Sequence, residues 1–268
     1  MRERVLHCDM RPRPHIRYRQ QIMWRKPVTT LRNVAYLMIS IVQLLSGAAS
    51  TAQNRSANEI PLFLIGDSIS LQYTPYLKED LAPRVAFSRK EGTVHASNLD
   101  VPDDANGGNS NMVLSYLEKR YKDKTFAPAI LLVNAGLHDV KRDVHTNQLA
   151  VPPEIYRRNL MRIASLALKH HATLIWVNTT PVDDIRHNRL SHDFHRFDSD
   201  VRTCNLIASA VFRAKAVPII DLYEFTAKSA TTHYIDHVHY DDAMRALQAA
   251  FIAGAVNALA DALQLHTK

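Results

Sequence analysis

Glycine is scarce in this chain, with seven in 268 residues. Cysteine is scarcer still: there are two, Cys8 and Cys204. A framework of disulfides is therefore excluded, and the fold must stand on its core. Internal repeats, low-complexity tracts and long linkers are missing, which removes solenoids and tethered arrays. No run approaches the roughly 20 apolar residues that a membrane-spanning helix needs. The run at 34–45 (VAYLMISIVQLL) has 12 residues and includes Ser40 and Gln43. The body of the chain also lacks a charge excess. Residues 1–52 hold nine Lys/Arg against two acids and so carry the whole net charge of +7, while the remainder has 24 bases and 24 acids. A pI near 9.4 thus reflects the leader and gives no reason to expect a nucleic-acid partner. With 46% hydrophobic and 22% charged residues, the composition is that of a globular protein and excludes disorder, fibres and multi-span membrane proteins.

What is present begins with a leader. Arg25, Lys26 and Arg32 precede the apolar run, and the small residues GAASTA follow it. Basic start, apolar middle and small-residue end describe a secretory signal peptide. Cleavage after Ala52 puts Ser50 and Ala52 at the recognition positions; cleavage after Ser50 is the neighbouring option. Residues 1–22 are basic without apolar period, and Met23 opens a more ordinary signal peptide, so Met23 is the expected start. A basic arm with its own role is the competing reading. The expected organisation is a leader over 1–52 and a single domain over 53–268. The product is secreted or periplasmic, or membrane-tethered if the signal stays uncleaved. Removal of Cys8 leaves Cys204 alone.

Within the body, apolar runs of strand length alternate with stretches of helical period. Ile60–Ile65, Arg84–Phe87, Ala129–Val133, Thr173–Val177 and Val217–Leu222 are the strand candidates. Continuous apolar runs suit strands covered on both faces, as in a parallel sheet. Val113, Tyr116, Leu117 and Tyr121 share a helical face. Tyr156, Leu160, Ile163 and Ala167 do the same after Pro152-Pro153. Phe197, Val201, Cys204, Ala208 and Val211 form a third stripe, and Met244, Leu247, Phe251, Ala255 and Ala258 a fourth. The last is interrupted by Gln248, Asn257 and Asp261 and reads as a core helix. The alternation predicts an α/β chain: a three-layer α/β/α sandwich around a mostly parallel five-stranded sheet. Ligands in such sheets bind at the carboxyl ends of the strands.

Those ends hold the reactive residues. The first strand runs into Gly66-Asp67-Ser68-Ile69-Ser70. A Ser behind Gly on a tight turn can point into the crevice, although by itself it reads equally as a helix cap. Near the C-terminus stands Asp236-His237-Val238-His239. An imidazole takes a hydroxyl proton near neutral pH, and a carboxylate three residues away can fix its tautomer. Asp221 is a competing orienter. A metal group of His237, His239 and nearby acids is an alternative, although the spacing follows no common zinc pattern. Asn106-Gly107-Gly108-Asn109-Ser110 precedes a helix and can expose backbone N–H groups. The third strand ends in Asn134-Ala135-Gly136-Leu137-His138-Asp139. Four of the six glycines beyond the leader fall in these loops.

GDS after the first strand, a glycine loop, a third block ending in Asp and a late D-x-x-H together resemble the SGNH hydrolases, also called GDSL-type esterases, over roughly residues 60–262. The resemblance implies a flavodoxin-like sandwich and a serine esterase without metal or cofactor. Ser68 would be the nucleophile and lend its N–H to the oxyanion hole, with His239 as base and Asp236 as its orienter. Gly108, or its neighbour Gly107, would be a second donor. The third block of the family reads G-x-N-D and its Asn donates to the oxyanion. Here His138 takes that place, with Asn134 as a fallback. Such donors are often worth ~3 kcal/mol of barrier. The implied substrate is a small-molecule or carbohydrate O-acyl ester, short-chain or acetyl. A lipase, thioesterase or acyltransferase of the same fold is an alternative, and so is a catalytically inactive binding protein for surface polysaccharide.

Other residues read more plainly. Thr179-Thr180-Pro181 ends a strand. His187, His192 and His195 read as a solvated loop, and His170-His171 as complementing a helix dipole. Cys204 reads as inert core.

Overall fold

A computed structural model describes residues 59–92, 101–102 and 104–266, with side chains to residue 262. The leader, with Cys8, Met23, the apolar run and the cleavage positions, lies outside the described residues. Ile60–Ile65 forms β1, Val85–Arg89 β2, Ile130–Val133 β3, Thr173–Val177 β5 and Ile219–Ile220 β7. They pair in parallel in the order β2-β1-β3-β5-β7. Leu62 sits opposite Phe87 on one side and Ile130 on the other, so β1 is an interior strand, and its stretch from Leu62 to Ile65 is buried.

The strand order decides where the helices go. The step from β1 to β2 runs one way across the sheet; the steps to β3, β5 and β7 run the other way. Right-handed crossovers then place the connections on opposite faces. Ser68–Leu81 (α1) follows β1 and packs against the final helix, Asp242–His266 (α8). Ser110–Arg120 (α2), Pro153–Lys169 (α3) and Asp198–Arg213 (α5) pack in a row on the other face. The reversal occurs beside β1, at the switch point where such sheets bind ligands. Leu64, Ile65, Leu132, Val133 and Trp176 fill the middle layer, each at most 1% exposed.

The first three helical stripes hold, with Val113, Leu117, Tyr156, Leu160, Ile163, Val201 and Ala208 buried. The fourth does not: of its residues only Met244 is buried, while Leu247, Phe251, Ala255 and Ala258 are exposed, and α8 turns a neighbouring face to the core. Cys204 is buried too, and desolvation pushes its thiol well above the usual range. Met244, Ala249, Ile252, Val256 and Ala260 of α8 are buried, and Gln248 donates to Thr226 Oγ1 at 3.1 Å. Among the described residues α8 alone has the length and apolarity of a membrane span; its buried face and its packing on α1 make it part of the core.

Some expectations change. The fifth strand is two residues long, not six. Pro218 has no N–H for the ladder, although its carbonyl still accepts from Trp176 N at 2.9 Å. Asp221 then caps the helix Leu222–Ala227 (α6). The second strand is displaced to Val85–Arg89. Arg142–Asp143 (β4) and Phe194–His195 (β6) form a small antiparallel pair beside the main sheet, and Asp184–Leu190 forms a further short helix (α4). Ala230–His233 (α7) precedes the D-x-x-H loop. His187 is not solvated. It is 1% exposed, with Nε2 at 3.1 Å from the Phe194 carbonyl and its ring against His237 at 4.2 Å. His192 is exposed. His170 follows the last turn of α3 and stacks on Tyr121 at 4.1 Å.

Candidate active site

β1 delivers the chain into Gly66. A Cβ there would stand 2.9 Å from Ser70 Oγ and 3.2 Å from Asn134 Cβ, so the turn has no room for a side chain. Asp67 is the N-cap of α1, its Oδ1 accepting from Ile69 N at 3.0 Å. The cap is thus Asp67 and not Ser68. Ser68 becomes the first helical residue, and its N–H has no acceptor within the helix. Burial pushes the Asp67 carboxyl up; the N–H groups of Ile69 and Ser70 and the charges of Arg196 and His239 oppose it without prevailing.

The partner loop is a tight one. Tyr234 and Tyr240 bridge and stack at 4.9 Å, and Ile235 N donates to the His239 carbonyl at 2.9 Å. Inside it, Asp236 Oδ1 accepts from Val238 N and His239 N, both at 2.8 Å. Asp236 Oδ2 lies 2.6 Å from His239 Nδ1, and His239 Nε2 lies 2.9 Å from Ser68 Oγ. A carboxylate facing Nδ1 requires the proton there. Nε2 is then the acceptor for the Ser68 hydroxyl. Burial raises the Asp236 carboxyl, but the His239 ring, its charge and the two backbone N–H groups outweigh it and hold the group well below the usual carboxylate range. Ser68 and His239 are only 2% and 3% exposed. Asp221 is engaged elsewhere, accepting from Glu224 N at 3.3 Å and Asn178 Nδ2 at 3.2 Å.

The candidate donors lie around this pair. Gly107 N donates to the Gly66 carbonyl at 2.8 Å, which draws the glycine loop onto the end of β1. Gly108 has φ +68, and its N–H donates to Asn106 Oδ1 at 2.9 Å. Asn134 Nδ2 donates across the sheet to the Val177 carbonyl at 3.0 Å. His138 is 3% exposed in the turn after β3. That turn needs Gly136, because a Cβ would come 2.0 Å from Thr179 Oγ1. Thr179 therefore braces the third block, its hydroxyl donating to the Ala135 carbonyl at 3.2 Å. Asp139 accepts from Ser110 N with both oxygens, at 2.9 and 3.0 Å, and so holds the start of α2. Burial pushes its carboxyl up to about 7, against the Ser110 hydrogen bonds.

Three arginines that no sequence pattern marked complete the surroundings. Arg89 donates to the Ser70 carbonyl at 3.2 Å, to Thr74 Oγ1 at 2.6 Å and to the Ala105 carbonyl at 3.1 Å, so it ties the first turn of α1 to the glycine loop. Its burial lowers its pKa to about 10. Arg196, with no exposed surface, donates from Nε to the Leu137 carbonyl at 2.9 Å. Arg186 donates to the carbonyl of Asp236 at 2.7 Å.

The fold recurs in solved structures. A lipase/acylhydrolase from Enterococcus faecalis superposes with a TM-score of 0.55 at 18% identity, covering 74% of this chain and 95% of its own. The carbohydrate acetylesterase Est24 from Sinorhizobium meliloti gives 0.54 at 14% identity, covering 75% and 100%. The acetyl xylan esterase AlAXEase gives 0.56 at 14% identity, covering 74% and 100%. At these identities the likeness is one of fold. No curated protein sequence matches the chain. The model of the GDSL-like lipase/acylhydrolase family matches residues 62–252, a span that runs from β1 through the glycine loop and the D-x-x-H loop into α8. The chain is thus an ester-bond hydrolase of the GDSL-like lipase/acylhydrolase family.

Proposed function

We propose that the protein is an exported serine esterase that removes short acyl groups, acetyl foremost, from carbohydrate-linked or other small esters. One observation carries the mechanism: the unbroken chain from Ser68 Oγ through His239 to Asp236, at 2.9 and 2.6 Å. Ser68 Oγ attacks the ester carbonyl while His239 Nε2 takes its proton. Asp236 holds the ring and steadies the imidazolium. The Ser68 N–H at the start of α1 and the His138 ring are the donors offered to the oxyanion. The Gly108 N–H, and behind it Gly107 and Asn134, join them only by exchanging Asn106 Oδ1, the Gly66 carbonyl and the Val177 carbonyl for it. The ester C–O bond breaks, the alcohol leaves with the proton from His239, and water repeats the sequence on the acyl-enzyme. No step calls for a metal or organic cofactor.

The short acyl group is favoured by the confinement of Ser68 and His239, at 2% and 3% exposure. The carbohydrate alcohol follows the acetyl xylan esterase and carbohydrate acetylesterase that share the fold. Export rests on the basic, apolar and small-residue order of the leader.

The test combines a fluorophosphonate probe with a panel of p-nitrophenyl esters and acetylated sugars. Labelling at Ser68 and turnover that declines with acyl length are expected. Ser68→Ala should lower kcat/KM by at least about 10⁴-fold without loss of the thermal transition. A native rate in that variant removes Ser68 from the reaction; the absence of probe labelling in folded, unaltered protein removes the esterase reading.

A further inference from the structure

The connection between β5 and α5 carries two arginines that reach back to opposite halves of the site. It is firmly seated. Its β6 pairs with β4, and Arg142 of β4 grips Asp200 of α5 through two bonds of 2.6 and 2.8 Å. From this base the first turn of α4 meets the D-x-x-H loop from outside. Arg186 Nη2 donates to the Ile235 carbonyl at 3.3 Å, Arg186 Nη1 to the Asp236 carbonyl at 2.7 Å, and Asp183 N to the His237 carbonyl at 2.9 Å. Three consecutive carbonyls of the loop are thus bound by residues 183–186. Asp183 Oδ1 in turn accepts from Arg186 N at 3.0 Å, which fixes the turn that presents the guanidinium. At the far end of the connection, Arg196 holds the Leu137 carbonyl, one residue before His138.

The consequence is directional. With its carbonyls at 235, 236 and 237 taken, the loop backbone cannot rotate about the residue that bears the carboxylate. Asp236 then has one way to face: Oδ1 on the N–H groups of 238 and 239, Oδ2 on His239 Nδ1. A planar fork with several N–H donors can serve two carbonyls at once, which a lysine ammonium does less rigidly. We infer that Arg186 is a positioning residue for the acid–base pair, holding the Asp236 backbone so that the carboxylate orients His239, and that Arg196 does the same for the third block at Leu137. Neither is a catalytic residue: the bonds that place them at the site run to the backbone carbonyls of 235, 236 and 137 and not to a reacting atom. The inference rests on the triad reading above.

The test uses Arg186→Ala and Arg186→Lys, with Arg189→Ala as a control, an exposed arginine on the same helix. Each is measured for kcat and KM on p-nitrophenyl acetate across pH, for the rate of fluorophosphonate labelling, and for thermal midpoint. Misplacement of about 1 Å can cost about 10²-fold in rate. Arg186→Ala is therefore expected to lower kcat by about ten- to a hundredfold with KM little changed. Labelling should slow in parallel and the acid limb of the profile should move. Arg186→Lys should recover part of the loss and Arg189→Ala should behave as the unaltered protein. Native kcat, pH profile and labelling rate in Arg186→Ala overturn the inference while leaving the triad reading intact. Failure of the unaltered protein to label overturns both. If Arg186→Ala loses its thermal transition, Arg186→Met, which keeps the apolar stem, decides between the same outcomes.

Discussion

Asp236→Asn is the most discriminating single change. The variant keeps the size of the side chain and the acceptor for the N–H groups of Val238 and His239, now at 2.8 Å. What changes is the atom facing His239 Nδ1 at 2.6 Å. An amide N–H there cannot accept a hydrogen bond; it donates one. The imidazole responds by moving its own proton to Nε2, where it faces Ser68 Oγ at 2.9 Å. Two donors then oppose each other and the ring can no longer take the hydroxyl proton. The same inversion in serine proteases lowers kcat by about 10⁴, close to 5.5 kcal/mol at 1.36 kcal/mol per decade. The assay is kcat/KM on p-nitrophenyl acetate at pH 7.5, with the thermal midpoint as a control for folding. A folded Asp236→Asn enzyme within tenfold of native rate would refute the orienting role of this carboxylate, whatever else the loop does.

Other outcomes follow from the same geometry. Asp139, pushed up to about 7 by burial, binds its proton more tightly folded than unfolded. The stability it contributes is full below the unfolded value near 3.9 and is lost as pH rises toward about 7, by an upper limit of about 4 kcal/mol. Asp139→Asn, still able to accept from Ser110 N, should flatten the thermal midpoint between pH 5 and 8; an unchanged slope counts against it. Asp236 has the opposite sign. Its depressed pKa means stability present above pH 4 and lost as pH falls further, and Asp236→Asn should remove that acid-side slope in calorimetry. Gly136→Ala should cost about 1–3 kcal/mol of stability, because its Cβ meets Thr179 Oγ1 at 2.0 Å. Pairing it with Thr179→Ala should recover part of the loss in denaturant titration, and strict additivity would show that the clash is relieved elsewhere.

Much of the fold was legible because its signals are long and apolar. β1, β3 and β5 are continuous runs covered on both faces, and the stripe in α3 after Pro152-Pro153 is strongly one-sided. β7 was overdrawn because Val217–Leu222 is apolar by composition, whereas Pro218 withholds a donor and Asp221 starts a cap. β4 and β6, at two residues each, are too short for any period to register. α4 reads Asp-Ile-Arg-His-Asn-Arg-Leu and has no apolar stripe, so its histidine at 187 passed for a solvated one. At the site, Ser68, Asp236 and His239 were legible because their side chains act on one another at a recognisable spacing. Arg89, Arg186 and Arg196 were not, because each acts by donating to backbone carbonyls, which every residue has. The engagement of Gly108 N–H by the Asn106 side chain was equally hidden, since nothing in the Asn-Gly-Gly spacing says which acceptor a loop N–H takes.

The hydroxyl at position 68 and the imidazole at position 239 are separated by 171 residues of chain. On a ribosome adding roughly 5–20 residues per second, this means roughly ten to thirty seconds between the synthesis of one and the other. Throughout that interval the emerging polypeptide carries an ordinary alcohol that no base has touched. Its glycine turn, its sheet and most of its helices can assemble while it is chemically inert. Reactivity arrives only with the D-x-x-H loop, so a product truncated before Asp236 lacks both the base and its orienter and is a scaffold that cannot attack the acyl groups around it.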